Sequence, residues 1–254
     1  MITAIPIPAF ADNYIWLLRH DAHVLVVDPG DAAPVLDYCQ QHQLSLDAIL
    51  VTHQHADHCG GVCQLAQHAG CAVFGPQQAI AAGVDHTMAD GMTITLEGWP
   101  AVAIWSLPGH TADHLGYLID NMLFCGDTLF AGGCGRVFDG TIGQLFNSLQ
   151  RISSLAEDTL IYCAHEYTIA NLHFAQTVEP GNPHIGLRLA EAIQARSAGQ
   201  ATVPNRLADE LASNPFLRYD HPSVRQSASR WQGRPLSTPL EVFTTLREWK
   251  NQFR

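Results

Sequence analysis

The sequence predicts an α/β domain followed by a small α-helical domain. Over the first 165 residues, short runs rich in β-branched and aromatic residues alternate with helical patterns. After about residue 168 the strand patterns stop and only helical spacing continues. The chain has 254 residues, of which 47% are hydrophobic, so it is long enough to bury a sizeable core. We therefore predict domains at residues 1–168 and 169–254.

Nine apolar runs in the first domain are typical of strands, and several are continuous enough to predict burial on both faces. These runs are YIWLL, HVLVVDPG, AILVTH, CAVFGP, MTITL, VAIWSLPG, LGYLI, MLFCGD and TLIYCAHE. Helices are predicted between them at APVLDYCQQHQL, GGVCQLAQHAG and TIGQLFNSLQRISSL. The second domain carries helical spacing between Pro, Gly and Asn turns, at IANLHFAQTVEP, GLRLAEAIQARSAG, NRLADELASNPFL and PLEVFTTLREWKNQF.

Charge is distributed unevenly along the chain. Residues 1–135 hold one basic and 13 acidic residues, a net charge of −12, whereas residues 136–254 hold 12 basic and 11 acidic residues. Because binding to nucleic-acid phosphates depends on Lys and Arg, the acidic first part argues against a nucleic-acid partner. An anionic substrate must therefore find its cationic partners late in the chain.

Composition also predicts the compartment. No basic residue precedes Arg19, which does not fit a secretion signal or an Arg-rich transit peptide, and no apolar run is long enough to span a bilayer. The number of cysteines, seven, is odd, and the sequence contains no C-x-x-C pair. Both observations argue against a disulfide framework. We expect a cytoplasmic monomer without a membrane partner.

Histidine and aspartate side chains follow four of the predicted strands. The segment His53 to His58 follows AILV, His110 follows WSLPG, Asp127 follows MLFCG and His165 follows LIYCA. Sites of open α/β sheets form outside the carboxyl ends of the strands, so these side chains are expected to meet. A cluster of imidazoles and carboxylates is costly to bury without partners, which indicates a metal.

The number of candidate ligands exceeds what one metal takes. The H-x-H-x-D-H segment, with His110, Asp127 and His165, supplies five histidines and two carboxylates. Seven ligands are too many for one tetrahedral zinc but suit two centres that share a bridging carboxylate. A zinc site that only stabilises the fold is the alternative, and it is disfavoured because structural sites are typically rich in cysteine. Cys59 and Cys63 flank the cluster and are expected to be small buried residues of the following helix.

Several motifs resemble those of a known family. THQHADH, PGHTADH, CGDTLFAGGCGR and AHEYT are similar to the successive metal motifs of the metallo-β-lactamase superfamily. More narrowly, GDTLFAGGCGR, HEYTIANLHFA, NPFLR and REWKNQF resemble glyoxalase II, the hydroxyacylglutathione hydrolases. The resemblance implies a metallo-β-lactamase-like αββα sandwich with a C-terminal α-helical domain that binds glutathione.

The resemblance also implies the ligands and the reaction. Seven metal ligands are implied: His53, His55 and His110 at one metal, Asp57, His58 and His165 at the other, with Asp127 bridging. Two divalent metal ions are expected per chain, with zinc favoured and iron or manganese as alternatives. A metal-bridged hydroxide would hydrolyse S-D-lactoylglutathione to glutathione and D-lactate, the second step of methylglyoxal detoxification.

Four further residues are implied in substrate binding. Arg247 and Lys250 lie three positions apart on one predicted helix, and the family uses such a pair to hold the glycine end of glutathione. Arg136 stands where many relatives have lysine, and Tyr167 matches a position that contacts the substrate. Phe138 stands where some relatives place a tyrosine, which removes a hydroxyl group.

Some assignments remain open from the sequence alone. Asp28 either accepts a hydrogen bond from a ligand histidine or forms a plain Asp-Pro-Gly turn. His114 and Glu166 are weaker candidates for supporting roles. The alternative functions are a mononuclear iron persulfide dioxygenase acting on glutathione persulfide, a metal-dependent nuclease, and a metal-stabilised binding module. The helical second domain disfavours the dioxygenase, and the acidic first domain disfavours the nuclease.

Overall fold

A computed structural model describes residues 1–253, so the last position of the predicted second domain, residue 254, lies outside the described residues. Two six-stranded mixed sheets form the centre, with strand orders β1-β2-β3-β4-β5-β6 and β14-β13-β10-β9-β8-β7, and β11 pairs with β12 in a separate hairpin. The strands are β1 Thr3–Ala9, β2 Asn13–His20, β3 His23–Val27, β4 Ala48–Leu50, β5 Ala72–Gly75, β6 His86–Thr87, β7 Thr93–Ile94, β8 Val102–Ser106, β9 Leu115–Ile119, β10 Met122–Gly126, β11 Leu129–Phe130, β12 Gly133–Cys134, β13 Leu160–Cys163 and β14 Asn205–Arg206.

Helices cover the two sheets and form most of the C-terminal region. The helices are α1 Ala33–His42, α2 Ala56–Cys59, α3 Val62–Ala69, α4 Ile142–Ser153, α5 Thr168–Val178, α6 Pro183–Ser197, α7 Leu207–Ser213, α8 Pro222–Gln232 and α9 Pro239–Gln252. Thr141 and Thr238 cap α4 and α9 with reciprocal side-chain and backbone hydrogen bonds, which explains where these two helices begin. Among the described residues, no helix combines the length and the apolar character needed to cross a membrane.

The central strands are buried on both faces, as their continuous apolar sequences predict. In β2, Ile15 and Leu17 face α1 and α3, whereas Trp16 and Leu18 face the second sheet. Successive side chains of a strand point to opposite faces, so one apolar run fills two layers of core. The result is the predicted αββα sandwich, in which two sheets pack together and helices cover the outside.

The C-terminal helices share the core of the sandwich. One buried cluster contains Trp16 and Phe124 of the sheets together with three aromatic residues of the C-terminal region. These are Phe174 of α5, Phe216 between α7 and α8, and Phe243 of α9. The short strand β14 also pairs with Leu160 and Ile161 of β13. The helical region is therefore packed directly onto the second sheet.

The structure adds several elements that the sequence patterns do not predict, including β1, α8 and β14. Strand β1 contains Pro6 and Pro8, which removes two backbone donors, but it lies at the edge of its sheet, where proline is tolerated. Helix α8 has a mostly polar sequence and buries only a few side chains, including Val224 and Ala228. Strand β14 is two residues long, so its sequence carries no recognisable period.

Candidate metal centre

Ligand-type side chains meet at one edge of the sandwich, where five strands end. Strands β3 and β4 of the first sheet and β8, β10 and β13 of the second sheet all deliver loops to this edge. The loop after β3 carries Asp28, and the other four loops carry the predicted ligands. All seven predicted ligands lie here: His53, His55, Asp57, His58, His110, Asp127 and His165.

Three histidines form the first half of the cluster. The Nδ1 atom of His55 lies 2.9 Å from Nε2 of His53 and 3.1 Å from Nε2 of His110. The three atoms belong to one group of possible ligand atoms that lie within 4.8 Å of one another. Three nitrogen atoms this close match the arrangement that a metal ion requires.

Asp57, His58 and His165 form the second half. One carboxylate oxygen of Asp57, Oδ2, lies 3.6 Å from Nε2 of His58 and 3.6 Å from Nε2 of His165. These three residues also satisfy the 4.8 Å criterion for a possible metal site. The second half therefore combines two imidazoles with a carboxylate, whereas the first half has imidazoles alone.

The Asp127 carboxylate lies between the two halves. Its Oδ1 atom is 3.4 Å from Nε2 of His58 and 3.3 Å from Nε2 of His165, and its Oδ2 atom is 3.5 Å from Nε2 of His110. Each oxygen thus faces a different half of the cluster. This is the geometry that a bridging carboxylate needs.

Hydrogen bonds fix the tautomers of the first-half histidines. The Thr52 hydroxyl donates to Asp28 at 2.7 Å, so it accepts at 3.0 Å from Nδ1 of His53. The backbone carbonyl of Arg136 accepts from Nδ1 of His110 at 2.8 Å. Because Nδ1 carries the proton in both rings, each Nε2 atom presents a lone pair to the cluster.

The second-half histidines are fixed in the same way, but by carboxylates. Nδ1 of His58 donates to Asp28 at 3.0 Å, and Nδ1 of His165 donates to Asp12 at 2.9 Å. In the neutral form of each ring, Nε2 is again a lone pair directed at the cluster. Four imidazole lone pairs and two carboxylates therefore converge on the same small volume.

Such a convergence favours a bound cation. Among the described residues, Nε2 of His58 and Oδ1 of Asp127 are buried without a hydrogen-bond partner. Buried acceptors without partners are costly, and lone pairs that face one another add repulsion. A divalent metal offsets both costs, and imidazole and carboxylate are suitable ligands for it. The donor set therefore fits a metal centre.

Burial and charge set the protonation of the histidines. Burial lowers the pKa of His53 well below its ordinary value and also lowers the pKa of His110, so both rings are neutral. At His58, burial opposes protonation, but the Asp127 and Asp28 carboxylates raise its pKa to about 9. A metal at the second half must therefore displace a proton from His58, because only neutral imidazole binds metal.

The backbone of Asp127 is fixed by a hydrogen bond to His114. Its backbone N–H donates to Nε2 of His114 at 3.2 Å, and burial lowers the pKa of that ring to about 3, so it stays neutral and accepts. The His114 ring also stacks on His53 with centroids 4.9 Å apart. Gly126, with a φ of 48°, precedes Asp127, and a Cβ atom there would collide with the Thr52 side chain. This supports the weaker expectation that His114 assists the site.

A cavity of about 520 Å³ opens beside the cluster and extends to the C-terminal helices. Predicted metal ligands form one end, and all four predicted substrate residues line the rest. The lining residues that matter here are His55, Asp57, His110, Asp127, His165, Arg136, Tyr167, Arg247, Lys250 and Phe138.

Among the described residues, three cations line the cavity, and we call Arg136, Arg247 and Lys250 the cationic wall. The buried Arg247 guanidinium donates through one terminal nitrogen to the carbonyl of Cys134 at 2.7 Å and to that of Gly135 at 3.3 Å. Burial, with repulsion from Arg247 and Arg136, lowers the pKa of Lys250 to about 8. Like charges held together in this way favour an anionic ligand.

Two aromatic rings line the same cavity as the cationic wall and contact histidines of the cluster. Tyr167 stacks on His165 with ring centroids 4.7 Å apart and planes 3° apart. Burial raises the pKa of Tyr167 to about 12, so its hydroxyl remains a donor. Phe138 is 65% exposed and places its ring 5.0 Å from His55 and 5.1 Å from His110. It thus covers the solvent side of the first half.

The open assignments are resolved in part. Asp28 has a φ of 53° in its turn and also accepts from His58, so both alternatives apply to it. Glu166 accepts from Tyr14 and from Thr202, which connects the sheets to the C-terminal region. Cys59 is buried, as expected, but the expectation for Cys63 is wrong, because Cys63 lies exposed on the solvent side of α3.

Sequence patterns do not identify Asp12 and Asn13. Asp12 lies in the turn between β1 and β2 and accepts from His165, whereas Asn13 begins β2 and donates to Asp57. Asp and Asn are common in turns, so their presence in FADNY carries no signal of this role.

Comparisons with known proteins define the class first. The profile of the metallo-beta-lactamase superfamily matches residues 10–165. The crystal structure of BLEG-1 B3 metallo-beta-lactamase has a TM-score of 0.64 at 21% identity and covers 85% of this chain and 99% of that chain. The crystal structure of ETHE1 from Myxococcus xanthus has a TM-score of 0.59 at 24% identity and covers 84% of this chain and 96% of that chain. At these identities the two structures establish the fold alone, and the expected fold class is confirmed.

The family follows from the C-terminal region and from a close relative. The profile described as hydroxyacylglutathione hydrolase C-terminus matches residues 166–253. A hydroxyacylglutathione hydrolase from Halorhodospira halophila is 50% identical over 99% of this chain and 99% of its own length. The chain belongs to the hydroxyacylglutathione hydrolase family of the metallo-beta-lactamase superfamily. The resemblance to glyoxalase II is thereby confirmed.

Proposed function

We propose that the chain is a metal-dependent thioester hydrolase that converts S-D-lactoylglutathione, or a related S-2-hydroxyacylglutathione, to glutathione and D-lactate or the matching 2-hydroxy acid. The observation that carries the proposal is the continuity of the cavity. One cavity joins a cluster of imidazole lone pairs and carboxylates to three cationic side chains. A hydrolytic centre and an anion-binding wall thus face one substrate-sized space. Family membership supports the same reaction.

We assign two divalent metal ions to the cluster. His53, His55 and His110 would hold one, Asp57, His58 and His165 the other, and Asp127 would bridge them. The opposed directions of the two Asp127 oxygens support the bridge. Zinc is the favoured metal, with iron or manganese as alternatives, because histidine and carboxylate ligands suit all three.

Metals bound there would supply Lewis acidity and bring the pKa of water close to neutrality. The chain's own residues orient the other reactants. Arg247 and Lys250 would hold a glutathione carboxylate, with Arg247 using Nη2, because its Nη1 and Nε atoms donate to Cys134, Gly135 and Asn251, and with Lys250 acting as a point charge. Arg136 and Tyr167 line the same cavity and would contact the remaining polar groups of the tripeptide. This anchoring fixes the thioester beside His55 and Asp127.

The leaving group explains why the site manages without a dedicated acid. Hydrolysis of a thioester releases a thiolate, and a thiol has an ordinary pKa near 8.5. A leaving group of this acidity departs without prior protonation more readily than an alcohol or amine. His53 and His110 are neutral and hydrogen-bonded on Nδ1, so they are committed as ligands.

The remaining assignments belong to the same proposal. We place the substrate-binding region at residues 169–254 and the metal-binding region at residues 1–168, and we expect a cytoplasmic monomer. All seven cysteines lie among the described residues as free thiols, which suits a reducing compartment. A mononuclear iron persulfide dioxygenase is less well supported, since the sequence of a hydroxyacylglutathione hydrolase is 50% identical to this sequence over 99% of the chain.

The test is hydrolysis of S-D-lactoylglutathione by the purified chain, followed by the loss of thioester absorbance. Metal content is measured on the same sample. We expect turnover that is lost on chelation and returns with Zn, Fe or Mn at about two metals per chain. Oxygen consumption with glutathione persulfide at one iron per chain would instead establish the dioxygenase.

A pair of histidine variants controls for unspecific effects. His53→Ala removes a proposed ligand, whereas His68→Ala makes the same change on the exposed side of α3. We expect loss of metal and turnover only in His53→Ala. Equal turnover in both variants would contradict the proposed centre.

A further inference from the structure

The turn that leads into β2, residues 10–13, ends at Asn13, the first residue of that strand, and contacts two ligands of the second half of the cluster. We infer that this turn is the positioning element for the metal held by Asp57, His58 and His165, an inference that rests on the dinuclear centre of the proposed function. Asp12 and Asn13 supply the contacts. Neither is a proposed ligand, so both act through the side chains they hold.

Asn13 fixes the Asp57 side chain relative to its own backbone. The Asn13 amide donates to Oδ2 of Asp57 at 3.0 Å and to the Asp57 carbonyl at 3.4 Å. Asp57 lies in α2, a helix of four residues, and its side chain is 43% exposed. A half-exposed carboxylate on such a short helix has several accessible rotamers. Asn13, itself buried, selects the rotamer that faces His58 and His165.

Asp12 fixes His165 from the opposite side. Its carboxylate accepts from Nδ1 of His165 at 2.9 Å, which leaves Nε2 directed at the cluster. Two backbone hydrogen bonds flank this contact, from Glu166 to Asp12 at 2.8 Å and from Tyr14 to Ala164 at 2.7 Å. The turn is therefore joined to the segment after β13 on both sides of the ligand.

The close packing of the turn depends on Gly30. A Cβ atom at this position would overlap the Asp57 carbonyl and would lie 2.9 Å from the ring of Phe10. Phe10 has a φ of 52° and belongs to the same turn. Three segments, around residues 10, 30 and 57, thus meet without room for a side chain at the centre.

The first half takes its support from segments other than residues 10–13. His53 donates to the adjacent Thr52, and His110 donates to the carbonyl of Arg136 in the β12–α4 loop. Displacing the 10–13 turn should therefore weaken one metal and leave the other in place. Partners of this kind typically contribute 10- to 100-fold to metal affinity.

The test compares Asn13→Asp with Asn121→Asp. Aspartate has nearly the size and shape of asparagine, so Asn13→Asp preserves the volume at the start of β2 but replaces the donor with a carboxylate facing Asp57. Asn121→Asp makes the same change in the β9–β10 turn, which does not line the cavity. Each full-length protein is loaded with Mn²⁺, its metal content is measured, and its electron paramagnetic resonance spectrum is recorded.

We expect two metals and an exchange-coupled pair in the unmodified chain and in Asn121→Asp. In Asn13→Asp we expect one tight metal, an isolated Mn²⁺ signal, and a second affinity weakened by roughly 10- to 100-fold. Two metals of unchanged affinity in Asn13→Asp would overturn the inference. One metal in the unmodified chain would instead contradict the dinuclear centre of the proposed function. Circular dichroism checks folding, and Asn13→Ala, which removes the donor without adding charge, gives the readout if Asn13→Asp does not fold.

Discussion

The ligand cluster and the cationic wall share one cavity but are built differently. In the cluster, four histidines have their second ring nitrogen fixed by a neighbouring oxygen, from Thr52, Asp28, Asp12 or the Arg136 carbonyl. In the wall, Arg247 is buried and donates to the Cys134 and Gly135 carbonyls. Among the described residues, Lys250 has a single long hydrogen bond, 3.3 Å to the Ala170 carbonyl, and Arg136 is exposed. The metal ligands follow the ends of strands and are fixed by hydrogen bonds. Of the substrate-binding cations, Lys250 of α9 and Arg136 of the loop before α4 keep free donors. Substitutions in the two regions should therefore change different kinetic constants.

Asp127→Ala should have the largest effect. Because Asp127 faces both halves of the cluster, its loss should reduce kcat by roughly 10³-fold or more and lower the metal content. Metal analysis and steady-state kinetics measure both effects. Asp158→Asn, on an exposed turn, is the control and should behave like the unmodified chain. Retained turnover in Asp127→Ala would remove the bridging role and with it the contrast between cluster and wall.

Replacing Arg247 and Lys250 together by alanine should have an intermediate effect of a different kind. Both side chains bind a part of the substrate that is remote from the reacting carbonyl, so KM should rise by roughly 10- to 100-fold while kcat changes little. Steady-state kinetics with S-D-lactoylglutathione separates the two constants. An equal fall in kcat, or an unchanged KM, would break the proposed division between the two regions.

The smallest effect is expected from pH. The pKa of Lys250 is lowered to about 8, so its ammonium group is charged below that pH and becomes neutral above it. Attraction for a carboxylate is therefore present at pH 7 and lost as the pH rises through about 8, which should lower kcat/KM by up to roughly tenfold. Arginine stays charged over this range, so Lys250→Arg should abolish the decline. A decline that persists in Lys250→Arg would assign it to another group.

The sequence predicts the chemistry of the site better than its support. The ligands follow short strands that are almost entirely apolar, and the ends of such strands can be recognised in the sequence. The amino-acid sequence alone therefore predicts that His110, Asp127 and His165 meet. It does not predict the roles of Asp12 and Asn13, because a turn residue looks the same whether or not its side chain reaches a neighbour. Strand β1 is not predicted for a related reason. Its prolines are tolerated only at the edge of a sheet, and which strand forms the edge is decided by the whole fold.

The contact between Asp12 and His165 spans 153 positions of the chain. Closing a loop of that length has an entropic cost that the chain must meet before the contact can stabilise anything. The first sheet and its helices can form from nearby residues, but the second half of the cluster is completed only when the two distant segments meet. Metal loading at this half should therefore be a late event in folding, and metal supplied during refolding should accelerate the final step rather than the collapse that precedes it.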